Sequence, residues 1–348
     1  MTAPTLTIDL TAIAANWRAL DALSGTGEAG AVVKADAYGL GVAKIAPVLL
    51  RAGARRFFVA SPDEGAVVRQ SIGPGPQIFV FSGHMAGDTE VIQDLDLTPL
   101  LNSLDQMTRH FESLPGHGFG VQIDTGLNRL GMEAGEWLAV AAIALERDPA
   151  LVISHLACAD DPQHPMNAAQ LAEFHDLTDG IGVPRSLSAT GGILLGSQFH
   201  FDVTRPGIGL YGGLSAPQLR PVLRLSAPVV QIREVSAGEA IGYGRAYEAQ
   251  APMLVATIPC GYADGLPRSL APAMRVWHEG TPCPVVGRIS MDLITVDITA
   301  LPEEPRLLDI LCPEQGPEAL AAAAGTISYE ILTSLSRRYT RSYVGSVR

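Results

Sequence analysis

Four cysteines in 348 residues, Cys158, Cys260, Cys283 and Cys312, are too few and too scattered to staple a fold or to ligate a metal. Free thiols in a reducing compartment follow. Long apolar runs are missing too: nothing approaches the ~18 unbroken apolar residues of a membrane helix. The opening MTAPTLTIDL lacks the basic and apolar regions of a secretion signal. The expectation is a cytoplasmic protein with no membrane partner. Positive charge is also short, with 24 Lys and Arg against 36 Asp and Glu and a net charge of -12. That balance argues against nucleic acid, so any anion that binds must be held locally. His84, His155 and Asp160 show no ligand spacing, so no metal is expected and a metal-dependent hydrolase is set aside.

What is present is a hydrophobic fraction of 47%, enough for a sizeable core, in a chain long enough for one large domain and a smaller companion. Up to about residue 215, short apolar runs alternate with helix-like stretches, as a parallel sheet with crossover helices requires. The runs fall at 31–34, 57–60, 78–81, 98–101, 120–123, 152–155, 186–188 and 203–210. Between them, Ser61-Pro62-Asp63-Glu64 and Ser103 to Gln106 read as capping boxes. Leu10, Ile13, Trp17 and Leu20 fall at helical spacing ahead of the first run. Eight such alternations fit a closed (β/α)8 barrel, a TIM barrel, better than an open doubly wound sheet. Beyond Pro217 the runs at 221–241, 253–258, 274–277 and 293–298 alternate as strands broken by Gly and Pro, which predicts a mostly antiparallel β domain; 319–324 reads as a late helix.

In a parallel barrel, chemistry gathers at the carboxyl ends of the strands. Lys34 closes the first run, Arg129 follows the fifth, His155 closes the sixth, Thr190 follows the seventh and Arg205 lies in the eighth. The loops after the seventh and eighth hold Thr190-Gly191-Gly192 and Gly207-Ile208-Gly209, whose hydroxyl and amides can cradle a phosphate without a cation. Singly, each has a plainer reading: a solvated strand-end lysine, a core histidine, glycines in tight turns, arginines in structural ion pairs. Jointly, an amine nucleophile, a phosphate cradle and an arginine point to a phosphorylated aldehyde cofactor, pyridoxal phosphate.

These residues resemble the alanine racemase family from end to end. The motifs are AVVKADAYGLG at 31–41, DTGLNRLGM at 124–132, RPGIGLYG at 205–212, PCGYADGLPR at 259–268 and GRISMD at 287–292. The resemblance implies a barrel over 9–217 that carries pyridoxal phosphate. It also implies a β domain over 218–348, joined by 1–8, that completes the site of the other subunit in a homodimer. Lys34 would then hold the cofactor, with Tyr38, Thr190, Gly207, Ile208 and Tyr329 around the phosphate. Arg129 and the Met291 amide would receive the substrate carboxylate, with Ser290 and Asp292 beside Met291. Asp264 is expected in a supporting turn, and Asp160 near the entrance.

Racemisation needs acid–base groups on both faces of the α-carbon. Lys34 supplies one, and the resemblance makes Tyr262 of the other subunit the second. A free tyrosine has pKa ~10, so positive charge relayed by His155 and Arg205 is expected to support its phenolate. Arg205 can only donate, so a pyridine nitrogen facing it stays an unprotonated acceptor. That weakens the electron sink and favours proton exchange over transamination or decarboxylation. Many relatives carry a carbamylated lysine seven residues before Arg129. Here the position is Gln122, so no carbamate is expected, and a small anion such as chloride could stand beside Arg129. The implied activity is interconversion of L- and D-alanine, for cell-wall synthesis or for catabolism. A racemase of broader range, a related barrel decarboxylase and a non-enzymatic pyridoxal phosphate carrier are the competing readings; Arg205 opposes the decarboxylase, and Tyr262 with GRISMD opposes the carrier.

Overall fold

A computed structural model describes residues 3–346. These fall into two compact units, one of residues 14–37 and 41–210, the other of residues 3–13, 38–40 and 211–346. The strands, in chain order, begin with β1 (Thr5–Asp9), β2 (Glu28–Ala29) and β3 (Ala31–Val32), followed by β4 (Arg56–Val59), β5 (Gln77–Val80), β6 (Thr98–Leu101), β7 (Gly120–Gln122), β8 (Val152–Ile153), β9 (Arg185–Ser186) and β10 (Val203–Thr204). Strands β3 to β9 form one parallel sheet in sequence order, and β10 pairs parallel with β2.

Backbone bonds join these two sheets into a ring. Asp202 N donates to Arg185 O and Arg205 N to Ser188 O on one side of β10; Glu28 N donates to Asp202 O, Gly30 N to Thr204 O and Val32 N to Pro206 O on the other. The barrel is therefore closed, and β2 and β3 are one strand interrupted at Gly30, where a Cβ would strike Phe58 at 2.6 Å. The last run is much shorter than its apolar pattern suggests. The strand itself ends at Thr204, its last inter-strand bonds lie at Arg205 and Pro206, and Ile208–Tyr211 winds into a 3-10 turn after Pro206, which has no amide to donate.

The barrel strands are apolar on both faces because helices cover them. Outside β6 to β9, Leu101, Val121, Val152 and Leu187 pack with Trp137 and Phe174 from the helices Ala134–Leu145 and Pro165–Thr178. Trp137 is fully buried and its indole N–H donates to Leu177 O at 2.9 Å. Ser103 caps the helix Leu104–Ser113, accepting from Gln106 N. The box read at Ser61 does not form: Ser61 makes no side-chain cap, and Glu64 turns to other amides.

Beside the barrel, three histidines form a chain. His84 Nδ1 meets His110 Nδ1 at 3.2 Å, His110 Nε2 meets His117 O at 3.2 Å, and His117 Nε2 meets Leu97 O at 2.8 Å. Carbonyls only accept, so both Nε2 atoms carry protons; His110 Nδ1 must then accept from His84 Nδ1–H, and His84 Nε2 accepts from Thr89 Oγ1 at 3.0 Å. Every proton in the chain is fixed. Burial pushes the His110 pKa down to about 4.

In the other unit the remaining strands are β11 (Leu223–Pro228), β12 (Gln231–Val235), β13 (Ala240–Ile241), β14 (Tyr247–Glu248), β15 (Met253–Ile258), β16 (Arg275–His278), β17 (Thr281–Pro284), β18 (Ile294–Asp297), β19 (Leu307–Leu311) and β20 (Thr340–Val344). A six-stranded sheet runs β17-β16-β19-β11-β1-β20, and a three-stranded one runs β12-β15-β18. Pairing is antiparallel except between β1 and β20, so residues 5–9 are built into this unit. The strands 281–284, 307–311 and 340–344 lie outside the runs read from sequence: Pro282 and Pro284 interrupt the first, Asp309 the second, and Thr340-Arg341-Ser342 leaves the third without an apolar run. The late helix is Pro317–Ala324.

Candidate active site

Lys34 does not end a straight strand. Ala35, Asp36, Ala37 and Tyr38 all have left-handed backbone angles, with φ of 53°, 55°, 54° and 56°. Such a conformation costs roughly 1–2 kcal/mol per non-glycine residue, so hydrogen bonds must hold it. Ala35 N donates to Glu64 Oε1 at 2.8 Å, Ala37 N to Val33 O at 2.9 Å, and Val42 N to Asp36 Oδ1 at 2.8 Å. The amine of Lys34 lies 5.6 Å from the Phe81 ring centre. Burial lowers its pKa; Arg129 and Arg205 lower it further, while Glu64 opposes them. A lysine so placed gives up its proton more readily than a solvated one, as attack on a carbonyl requires.

Arg205 is fully buried, yet among the described residues no carboxylate pairs with it. It donates to Ser186 Oγ and to the carbonyls of Ser154 and Leu187, and one Nη reaches His155 Nδ1 at 3.4 Å. Burial alone draws its pKa down to about 9, which still leaves it protonated at neutral pH. Because Arg205 can only donate, His155 Nδ1 accepts and Nε2 carries the proton. Burial, then the charges of Arg205, Arg129 and Lys34, push the His155 pKa down to about 3. His155 is therefore neutral, so in the relay expected of His155 and Arg205 the positive charge sits on Arg205. Buried Gln170 fixes the segment after β8, donating to His155 O at 2.9 Å and accepting from Ala157 N at 2.8 Å. No sequence motif marked it.

Thr190 opens the short helix Thr190–Leu195, and its hydroxyl accepts from Gly207 N at 3.0 Å and Gly209 N at 3.3 Å. Two amides thus converge on one oxygen, the arrangement a phosphate oxygen would use, with Ile208 between them. The amides, the Lys34 amine with its lowered pKa and the charge of Arg205 fit pyridoxal phosphate. Among the described residues, no group of three or more His, Cys, Asp or Glu is placed to hold a metal.

Arg129 is exposed at the end of a loop shaped by Asp124, whose carboxylate accepts from Gly126, Leu127 and Asn128 amides at 2.9 Å. Gly131 is required there: φ is 114° and a Cβ would meet Ile123 backbone at 2.7 Å. Gln122 is buried and donates to Leu130 O at 3.0 Å, so it braces the backbone next to Arg129 instead of its guanidinium.

In the other unit, Tyr38 is buried against Tyr211 and Tyr329, with ring centres 4.7 Å and 5.8 Å away. Burial, reinforced by Tyr329, raises the Tyr38 hydroxyl well above the usual phenol range, so it remains a donor. Tyr262 sits on the 3-10 turn Tyr262–Asp264 and is 42% exposed, and Met291 is 53% exposed. Their loops are stitched together by Tyr262 N to Ser290 O and Ala263 N to Met291 O, each at 3.0 Å. Arg338 clamps the same pair, reaching Asp264 at 3.3 Å and Asp292 at 2.8 Å. Sequence reading missed Arg338, which stands in no motif near either aspartate.

Comparison with known proteins agrees along the whole chain. The family described as alanine racemase, N-terminal domain, matches residues 8–215, and that described as alanine racemase, C-terminal domain, matches 222–343. An alanine racemase of Cereibacter sphaeroides is 63% identical over 344 residues, covering 99% of each chain. One from Dinoroseobacter shibae is 61% identical over 348 residues and 100% of each. The crystal structure of alanine racemase from Bartonella henselae with covalently bound pyridoxal phosphate superposes with a TM-score of 0.92 at 36% identity, covering 99% of this chain and 100% of that one. The chain belongs to the alanine racemase family.

Proposed function

We infer that this chain is a pyridoxal phosphate-dependent racemase that interconverts L- and D-alanine. The observation that carries the reading is the gathering of Lys34, the amide pair at Thr190 and the carboxylate-free Arg205 at one barrel mouth. When bound, the cofactor supplies an aldehyde for an amine and a conjugated ring that draws electrons from the α-carbon. The remaining work falls to the protein. Lys34 holds the cofactor and, once displaced by substrate, moves a proton on one face of the α-carbon. Tyr262, arriving from the partner subunit, does so on the other. Thr190, Gly207, Ile208, Tyr38 and Tyr329 would hold the phosphate. Arg205, which can only donate, would face the ring nitrogen without protonating it, leaving a weak electron sink that suits proton exchange. Neutral His155, its Nδ1 engaged by Arg205, offers Nε2–H as a polarised donor to the partner's Tyr262. Arg129 and the Met291 amide hold the substrate carboxylate. Gln122 carries no carbamate, and a chloride-sized anion balances Arg129.

The division of labour follows 9–217 as the cofactor barrel and 218–348 with 1–8 as the completing β domain. Residues 1, 2, 347 and 348 lie outside the described residues. The family matches at 8–215 and 222–343 support these limits. Tyr243, Tyr262, Met291 and Leu293 are 72%, 42%, 53% and 43% exposed, an apolar surface suited to a second copy in a homodimer. The compartment is the cytoplasm; no described helix is long and apolar enough to cross a membrane.

The test follows α-proton exchange with solvent and loss of optical rotation for L- and D-alanine beside larger amino acids. Inactivity of cofactor-loaded protein on alanine in either direction would sink the reading. Tyr262→Phe should slow exchange from one enantiomer far more than it weakens cofactor binding. Equal residual exchange from both would refute the two-base assignment.

A further inference from the structure

We propose that Glu64 is a positioning residue for Lys34, its carboxylate locking the left-handed turn that aims the amine. The last ladder bond between the first two barrel strands on this side runs from Val33 N to Phe58 O. Beyond it the chains part, and the carboxylate fills the gap. Oε1 accepts from Ala35 N at 2.8 Å and Oε2 from Ala60 N at 2.7 Å, so one rigid group bridges the residue after Lys34 and the end of the neighbouring strand. Glu64 can do this because it sits in the first turn of the helix Pro62–Ile72, whose N-cap residue Ser61 makes no side-chain cap and whose Pro62 has no amide to satisfy. The glutamate that a capping box would spend on its own helix is spent on Lys34's turn.

The clamp has a second effect. Lys34 lies among Arg129, Arg205 and Glu64, and Glu64 is the carboxylate whose charge acts on it. Removing that charge while keeping the side chain's length leaves the amine facing cations alone. This inference rests on the reading of Lys34 as the cofactor-binding amine.

Two measurements on cofactor-free protein test it, using Glu64→Gln, Glu64→Ala and the control Ser61→Ala. Ala35 is solvent-exposed, so its amide should exchange rapidly unless the carboxylate holds it. In the parent protein Ala35 and Ala60 amides should exchange slowly; in both Glu64 variants they should exchange at least ~10-fold faster, as expected for loss of a charge-assisted bond, and in Ser61→Ala they should not change. Lys34 and Lys44 are the chain's lysines, so pulse acylation resolves them by mass. The pH midpoint of Lys34 acylation should fall in Glu64→Gln, with Lys44 unmoved. Rapid exchange at Ala35 in the parent overturns the proposal without any variant, as does an unchanged Lys34 midpoint in Glu64→Gln. Failure of the parent to racemise alanine would instead strike the functional reading, since neither measurement depends on turnover.

Discussion

Substituting His110 by Asn should flatten the acid side of the stability profile. His110 has no solvent exposure and its pKa is held at about 4 against an ordinary 6.5. Protonation would place a second hydrogen between His84 Nδ1 and His110 Nδ1, where one is already fixed. The charged and titratable neighbours are Arg109, which disfavours a proton on His84, Asp88, which favours it, and His117. Between the two pKa values the unfolded chain binds a proton that the folded chain refuses, so stability is fully present above 6.5 and is lost as pH falls. That loss is about 2 kcal/mol at pH ~5 and levels off at about 3 kcal/mol below pH ~4. Asparagine keeps an acceptor for His84 but abandons the His117 carbonyl, so the variant should begin ~1–3 kcal/mol less stable at neutral pH. It should then lose less on acidification. His155, with a pKa of about 3, adds the same acid loss to both proteins and cancels. Urea midpoints across pH, with mass-spectrometric exchange of histidine ring hydrogens to read each pKa, provide the assay. Parallel loss in parent and variant, or a His110 ring that titrates near 6.5, would refute the argument.

Two other predictions concern the loops of Tyr262 and Met291. Gly261→Ala would push a Cβ to within 2.3 Å of the Ser290 and Met291 carbonyls, which cannot retreat without breaking the stitch between the loops; racemisation should fall by orders of magnitude while the cofactor's absorbance in the barrel persists, and full activity would contradict the contact. Arg338→Ala leaves Asp264 and Asp292 facing each other without their shared cation, and Asp292 already raises the Asp264 pKa behind burial; kcat should drop with little change in cofactor affinity, and 0.5 M salt should depress the parent toward the variant, whereas salt-insensitive, equal activities would remove Arg338 from the account.

The barrel was legible because its strands are buried on both faces and its polar residues stand at successive strand ends, where Lys34, His155, Thr190, Arg205 and Gly207 meet. Periodicity could not reveal the closure at β10, since Gly30 splits the partner strand and Pro206 ends the last one early. The left-handed turn at Lys34 was illegible for a different reason. Ala-Asp-Ala-Tyr has no glycine to favour positive φ; the conformation is held by Glu64 from outside the turn and by the Asp36 carboxylate from within it. The same Glu64 made a false capping box, because a glutamate three residues after a serine fits that pattern wherever its carboxylate turns. Arg338, Gln170 and the histidine chain depend on contacts between segments distant in sequence, for which local spacing gives no sign.

Arg205 is sealed among neutral oxygens, with Lys34 and Arg129 close enough to act on the same His155. In a chain of net charge -12 the barrel mouth is therefore a small electropositive well in an acidic surface. Low-dielectric walls focus such a field toward the opening. Anionic solutes would be repelled by the surface at large yet drawn in once they reach the rim, so the well selects ligands that carry negative charge before any hydrogen bond forms. His155 lies inside that field: burial first, then Arg205, Arg129 and Lys34, keep its ring neutral down to about pH 3.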